Sequence, residues 1–142
     1  MQASPDTQRP RVIAALLTAA ILLVLAVVFL FISPGQGESD SPALFPDASP
    51  ERGKRALADY GCTGCHLVPG VRGADGLVGP TLHYWADRQY IAGRVRNTPD
   101  NTVSWIMAPQ SMVPGTAMPD MGVTWGEARD IAAYLYTLRF NR

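Results

Sequence analysis

The stretch from Val12 to Ile32 limits what this 142-residue chain can fold into, because it contains no charged residue and a single hydroxyl, that of Thr18. A helix of this length is about 30 Å long, which is the hydrocarbon thickness of a bilayer. No polar face interrupts the run, so a buried core helix is the weaker interpretation. The run therefore predicts a transmembrane anchor at 12–32.

A cleaved secretory signal is the alternative interpretation of this run. The apolar region of a signal is about 7–15 residues long and ends at a small-x-small cleavage site, whereas this run is longer and ends in "FLFISPG". Arg9 and Arg11 precede it, and such charges stay in the cytoplasm. We therefore expect an uncleaved anchor in a bacterial inner membrane, a cytoplasmic N-terminus at 1–11, and all later residues on the outer, periplasmic side.

A linker is predicted at 33–48, because this stretch contains Pro34, Pro42 and Pro46 together with several acidic residues. Leu44 and Phe45 interrupt it with apolar side chains. They could dock on the folded domain, dock on a partner, or have no role, and the sequence leaves this open.

The folded domain is predicted at 49–142, and its helices are marked by local signals. The first begins at Ser49 as N-cap with Pro50 in the first helical position, and runs to about Tyr60. The second begins after Thr98 and ends before Pro109.

The third helix begins with the capping box of Thr124 and Glu127. An apolar stripe at helical spacing follows: Ala128, Ile131, Ala132, Leu135 and Leu138. No segment alternates like a strand, so the predicted domain is all-α with long loops at 67–97 and 108–123. So small a core usually needs an additional group to organise it.

The sequence Gly61-Cys62-Thr63-Gly64-Cys65-His66 contains both cysteines of the chain. C-x-x-C-H is the attachment sequence for c-type haem, in which the thiols of Cys62 and Cys65 bond the porphyrin and His66 faces the iron. A thioredoxin-like dithiol would need a βαβ setting, and a Cys62–Cys65 disulfide would close a very small loop. Zinc held by these three residues and His83 is the stronger rival, but adjacent ligands at 65 and 66 strain a tetrahedral site.

The second axial ligand of such an iron has several candidates in the sequence. Met118 precedes Pro119, which favours an extended backbone and places this methionine in a loop that can approach the iron. The remaining candidates are Met107, Met112, Met121 and His83. Methionine also fills gaps in cores, so position alone does not decide between them.

Residues 49–142 resemble a class I cytochrome c domain. The resemblance is carried by Gly53, the C-x-x-C-H motif, Gly79-Pro80 with Leu82, Trp105, Met118-Pro119 and Ala133-Tyr134-Leu135. It implies one covalently attached haem c with His66 and Met118 as iron ligands, and a Pro80 carbonyl that holds the His66 ring. It also implies that the first and last helices cross at Gly53 and Tyr134, and that Arg88 and Trp105 meet the haem propionates or line the pocket.

A narrower resemblance, to cytochrome domains of haem–copper terminal oxidases, is carried by Asn97-Thr98-Pro99-Asp100-Asn101, Trp105-Ile106 and Pro109-Gln110. It implies a membrane-anchored electron carrier between a quinol-oxidising complex and a terminal oxidase. No second cysteine pair is present to bind copper, so a complete oxidase subunit of that kind is not expected. A haem enzyme or gas-binding protein with a labile sixth ligand, and a structural subunit, are the alternatives.

The charges of the chain also limit its partners. Basic and acidic residues both number 12, whereas nucleic-acid binding requires a basic excess. Nucleic acid is therefore not expected as a partner. The apolar run and the resemblance lead us to expect a membrane and protein partners, with no small-molecule substrate.

Overall fold

The computed structural model describes residues 5–32 and 41–140, with side chains at 13–29 and 43–140. Residues 1–4 of the predicted N-terminus, the first half of the predicted linker (33–40) and residues 141–142 lie outside the described residues. Two compact units are present, 1–38 and 39–142.

The described part of the first unit is one helix, α1 (Pro5–Ile32), which includes the whole apolar run. Every described side chain from 13 to 29 is exposed. In the described part of the chain, no helix combines the length and the apolar character needed to cross a membrane. The predicted anchor is therefore not confirmed.

The second unit is mostly helical, and its elements follow the predicted order. The helices are α2 (Ser41–Leu44), α3 (Pro50–Asp59), α4 (Pro99–Met107), α5 (Pro109–Met112) and α6 (Trp125–Leu135). Two 3₁₀ turns lie at Cys62–Gly64 and Trp85–Asp87.

The starts of the three longer helices agree with the predictions, because each is fixed by a local cap. Ser49 accepts a hydrogen bond from the backbone of Arg52, and Thr98 accepts one from Asn101. Thr124 and Glu127 form the complete capping box of α6. These caps satisfy backbone N–H groups that a helix start leaves without partners.

Three details differ from the predictions. A short antiparallel hairpin, β1 (Tyr90–Ile91) with β2 (Val95–Arg96), interrupts the predicted loop at 67–97. The loop predicted at 108–123 contains α5, because the proline that ends α4 is also accepted in the first turn of a new helix. α6 ends at Leu135, so the last position of the predicted stripe, Leu138, lies beyond the helix.

The core is built on the crossing of α3 and α6. A Cβ at Gly53 would lie 2.7 Å from the backbone nitrogen of Ile131 and still closer to the carbonyl of Asp130. Only glycine allows this approach. Tyr134, the aromatic residue expected at this crossing, lies one turn further along α6, and its hydroxyl donates to the carbonyl of Pro69.

The second half of the predicted linker is folded against the domain. Phe45 is buried, with 3% of its surface exposed, and its ring packs edge-on against Tyr136 at 5.3 Å. Arg129 donates to the carbonyl of Pro46 at 2.6 Å. Phe45 is therefore a core residue of the domain, which answers the question that the sequence left open.

Candidate functional site

One cavity of about 260 Å³ lies beside α3, α4 and α6. All the predicted site residues line it: Cys62, Cys65, His66, Pro80, Arg88, Trp105 and Met118. Apolar side chains from the three helices, among them Leu57, Ile106 and Leu135, complete the wall. Residues far apart in sequence thus converge on one largely apolar space, which is the form expected of a cofactor site.

The cysteine motif forms a tight turn at the edge of this cavity. Gly61 takes a left-handed conformation (φ 70°), and the N–H of His66 donates to the carbonyl of Cys62 at 2.9 Å. The two cysteines form no disulfide with each other. Burial raises the pKa of the Cys62 thiol.

The zinc interpretation receives no support from this geometry. Among the described side chains, no three of His, Cys, Asp and Glu lie together as metal ligands would. His83 lines a separate surface depression with Tyr84 and Leu77. The cavity is also far larger than a tetrahedral ion with bonds of about 2.0–2.3 Å requires.

The His66 ring is fixed by the Gly79-Pro80 segment. Its Nδ1 lies 2.7 Å from the carbonyl oxygen of Pro80. A carbonyl can only accept, so Nδ1 carries a proton, and Nε2 is the ring nitrogen that can bind a metal. A Cβ at Gly79 would lie 2.7 Å from Nδ1 and 2.9 Å from Nε2, so this position has room only for glycine.

Among the methionines that the structure describes, Met118 alone lines the cavity. Met107 lies in a groove with Phe45 and Trp125, Met112 packs against the core, and Met121 is exposed. The loop that carries Met118 is held by Gln110, whose Nε2 donates to the carbonyls of Met118 at 2.9 Å and Thr116 at 2.5 Å. Gln110 was part of the sequence resemblance, but this role was not predicted.

Trp105 and Arg88 occupy different parts of the wall. Trp105 is 6% exposed and lies on the face of α4 that borders the cavity. Arg88 donates to the carbonyls of Thr81 and His83, and its guanidinium lies 5.4 Å from the centre of the Trp85 ring. Burial lowers the pKa of Arg88.

Trp85 is a site residue that the sequence did not single out. It is 5% exposed and lines the cavity. Within the described part of the chain, its Nε1 is the one buried side-chain nitrogen or oxygen without a hydrogen-bond partner. Such a group is costly unless something bound there accepts a hydrogen bond from it. A haem carries carboxylate groups that would do so, next to the cation of Arg88, and the residues present therefore fit this cofactor.

Comparison with known proteins agrees with the geometry. The family model for cytochrome c matches residues 50–139. A cytochrome c oxidase subunit 2 from Alkalihalophilus pseudofirmus is 35% identical over 91 residues, which cover 62% of this chain and 25% of that protein. A cytochrome c oxidase subunit 2 from Bacillus sp. strain PS3 is 34% identical over 65 residues, covering 44% of this chain and 18% of that protein. The chain thus matches a quarter or less of the length of these relatives.

Proposed function

The chain belongs to the cytochrome c family, and we propose that it is a membrane-anchored, monohaem electron carrier that delivers electrons to a terminal oxidase. As a member of this family it binds haem c covalently and transfers electrons. Bound haem supplies an iron that cycles between two oxidation states one electron apart. The C-x-x-C-H motif at Cys62, Cys65 and His66 is the attachment site.

The observation that carries the proposal is that two side chains able to bind iron, His66 and Met118, line one cavity. The Pro80 carbonyl fixes the His66 ring through Nδ1, so that Nε2 is the nitrogen that can bind a metal, and Gln110 holds the backbone of Met118. We assign His66 and Met118 as the two iron ligands. An imidazole and a thioether together raise the reduction potential and leave no open position for oxygen or peroxide. This favours an electron carrier over a haem enzyme with a labile sixth ligand.

Further residues of the cavity would hold the remainder of the cofactor. Trp85 Nε1 and the Arg88 guanidinium would pair with the haem carboxylates, and Trp105 would pack against the apolar part of the ring. The unpartnered Nε1 of Trp85 supports this assignment.

The proposed partner follows from the relatives. Two proteins whose matched segments are 34–35% identical to this chain are named cytochrome c oxidase subunit 2. From this likeness, we propose that this chain serves a terminal oxidase as a subunit or a tethered donor. A quinol-oxidising complex is the corresponding electron source. No nucleic-acid partner is proposed, because acidic and basic residues are equal in number.

The anchor is proposed from α1 and its sequence. This helix is 28 residues long, and the apolar side chains along its described part are exposed. So large an apolar surface is stable in water only when something covers it. Lipid covers it in our proposal, with Arg9 and Arg11 on the cytoplasmic side of a bacterial inner membrane and the haem domain outside.

Tethering explains the charge distribution of the domain. Residues 49–142 contain ten basic and eight acidic side chains, which gives little long-range steering toward a charged partner. A tether replaces steering because it raises the effective concentration without any new contact.

The experiment compares the intact protein with a form that carries a protease site in 33–40. We expect cleavage to slow reduction of the oxidase strongly at low protein concentration, and salt to change the intact system only slightly. Equal rates for the cleaved and intact forms at the same low concentration would contradict the tethered role.

A further inference from the structure

Asn97 uses the full hydrogen-bonding capacity of its side-chain amide. Its Nδ2 donates to the carbonyls of Trp85 at 2.8 Å and Arg88 at 3.1 Å. Its Oδ1 accepts from the hydroxyls of Thr102 at 2.8 Å and Tyr136 at 3.1 Å. An amide has two donor hydrogens and two acceptor lone pairs, so no capacity remains.

The two carbonyls that Asn97 binds belong to the pair of residues facing the cavity, Trp85 and Arg88. They lie at the two ends of one short turn, and that turn is entered through Tyr84 in the left-handed region (φ 55°). A residue other than glycine in this region costs free energy and persists only where the surroundings hold it. The amide of Asn97 supplies such a hold.

The other side of Asn97 is fixed to the core. Thr102 is fully buried in α4, and Tyr136 is 5% exposed just after α6. The amide therefore connects a turn that carries polar groups to two rigid helices. Functional groups keep their geometry when a second layer of packed, hydrogen-bonded residues supports them.

We propose that Asn97 is a positioning residue for the haem. By fixing the carbonyls of Trp85 and Arg88, it sets where the Nε1 of Trp85 and the guanidinium of Arg88 meet the cofactor, and so raises the reduction potential. The proposal rests on the haem c of the family and is independent of the proposed oxidase partner.

The test exchanges one atom of this amide. Asn97→Asp keeps the size of the side chain and an oxygen for Thr102 and Tyr136, but places a second oxygen against two carbonyls. Repulsion between this oxygen and the carbonyls of Trp85 and Arg88 then releases the turn at Trp85–Asp87. Water reaches the cavity, and the Arg88 guanidinium moves away from its position beside the cofactor. Oxidised haem carries one more positive charge than reduced haem, so losing a nearby cation favours the oxidised form. We expect at least a tenfold change in the reduction equilibrium toward the oxidised state, which is 59 mV for one electron.

Asn101→Asp is the matched control. It introduces the same charge four residues along the chain, where the Asn101 amide donates to the carbonyl of Arg96. It removes no bond to the turn at Trp85–Asp87, so we expect a shift smaller than threefold. Both potentials are measured by redox titration of the full chain, with thermal unfolding recorded in parallel.

Thr102→Val covers the case in which Asn97→Asp does not fold. It removes one hydroxyl that orients the amide while keeping both donors, so we expect a smaller shift in the same direction.

In a Trp85→Phe/Arg88→Gln background, Asn97→Asp should shift the potential no further than Asn101→Asp does. The proposal is overturned if Asn97→Asp, or Thr102→Val where the former does not fold, lowers stability but leaves the potential within the range of the control. A shift that is equally large in the Trp85→Phe/Arg88→Gln background would also overturn it.

Discussion

Gly79→Ala should disturb the His66 ring more than any other exchange of one hydrogen for a methyl group at the cavity. The new Cβ would lie 2.7 Å from Nδ1 and 2.9 Å from Nε2, at least 0.5 Å inside the 3.4 Å at which ordinary contact begins. The ring cannot turn away freely, because Nδ1 donates to the carbonyl of Pro80. Gly79 is itself held by its N–H, which donates to the carbonyl of Cys65 at 2.8 Å.

The expected cost follows from this overlap. Forcing extra atoms into a packed site costs about 1–3 kcal/mol, so a value near 2 kcal/mol lowers the Tm of a domain of this size by about 8–16 °C. The iron–imidazole bond should weaken as well, which the visible spectrum of the oxidised protein reports.

Gly126→Ala is the control for this prediction. Gly126 lies in the first turn of α6 with nothing within 4 Å of its Cβ position, so alanine should leave the Tm unchanged or raise it slightly. Scanning calorimetry and visible spectra of both variants check the prediction. An unchanged Tm and spectrum in Gly79→Ala would refute the packing argument.

Three further predictions concern other parts of the domain. Met118→Ala should lower the reduction potential and open the iron to carbon monoxide, whereas Met112→Ala and Met121→Ala should do neither, as redox titration and difference spectra will show. Phe45→Ala should cost about 3 kcal/mol in the free energy of unfolding because the ring is buried, while Leu44→Ala, at a 39% exposed position, should cost less than about 1 kcal/mol. Burial alone would raise the pKa of Asp130, but its bonds from Arg52 and the Ser49 N–H lower it below its usual 3.8. The ionised carboxylate therefore stabilises the fold at pH values above the usual pKa of 3.8. The difference in free energy of unfolding between wild type and Asp130→Asn, measured in urea, should shrink as the pH falls through the lowered pKa.

The helices and the haem motif could be predicted because their signals are local. The caps at Ser49, Thr98 and Thr124 act within three residues, and the C-x-x-C-H motif is one short turn. The Met118-Pro119 and Gly79-Pro80 pairs can likewise be recognised in the sequence because each consists of adjacent residues. Only the folded structure shows that both pairs line the same cavity.

The supports of the site could not be predicted because they join distant parts of the chain. Phe45 packs on Tyr136, and Asn97 connects the turn at Trp85–Asp87 to α4 and to Tyr136. Trp85 is identified as a site residue by its buried Nε1, which has no hydrogen-bond partner, and this feature is not visible in the sequence. Periodicity also missed the two-residue hairpin strands, which are too short to alternate.

In the proposed electron carrier, His66 and Met118 together close the iron to outside ligands, so that the protein carries electrons without binding oxygen. The most direct measurement is the carbon monoxide difference spectrum of the full chain, reduced at neutral pH, with Met118→Ala as the positive control. We expect no carbon monoxide complex in the wild type and a stoichiometric complex in the variant. Stoichiometric binding of carbon monoxide by the wild type would contradict the assignment of Met118 as an iron ligand and would favour a haem enzyme or gas-binding protein.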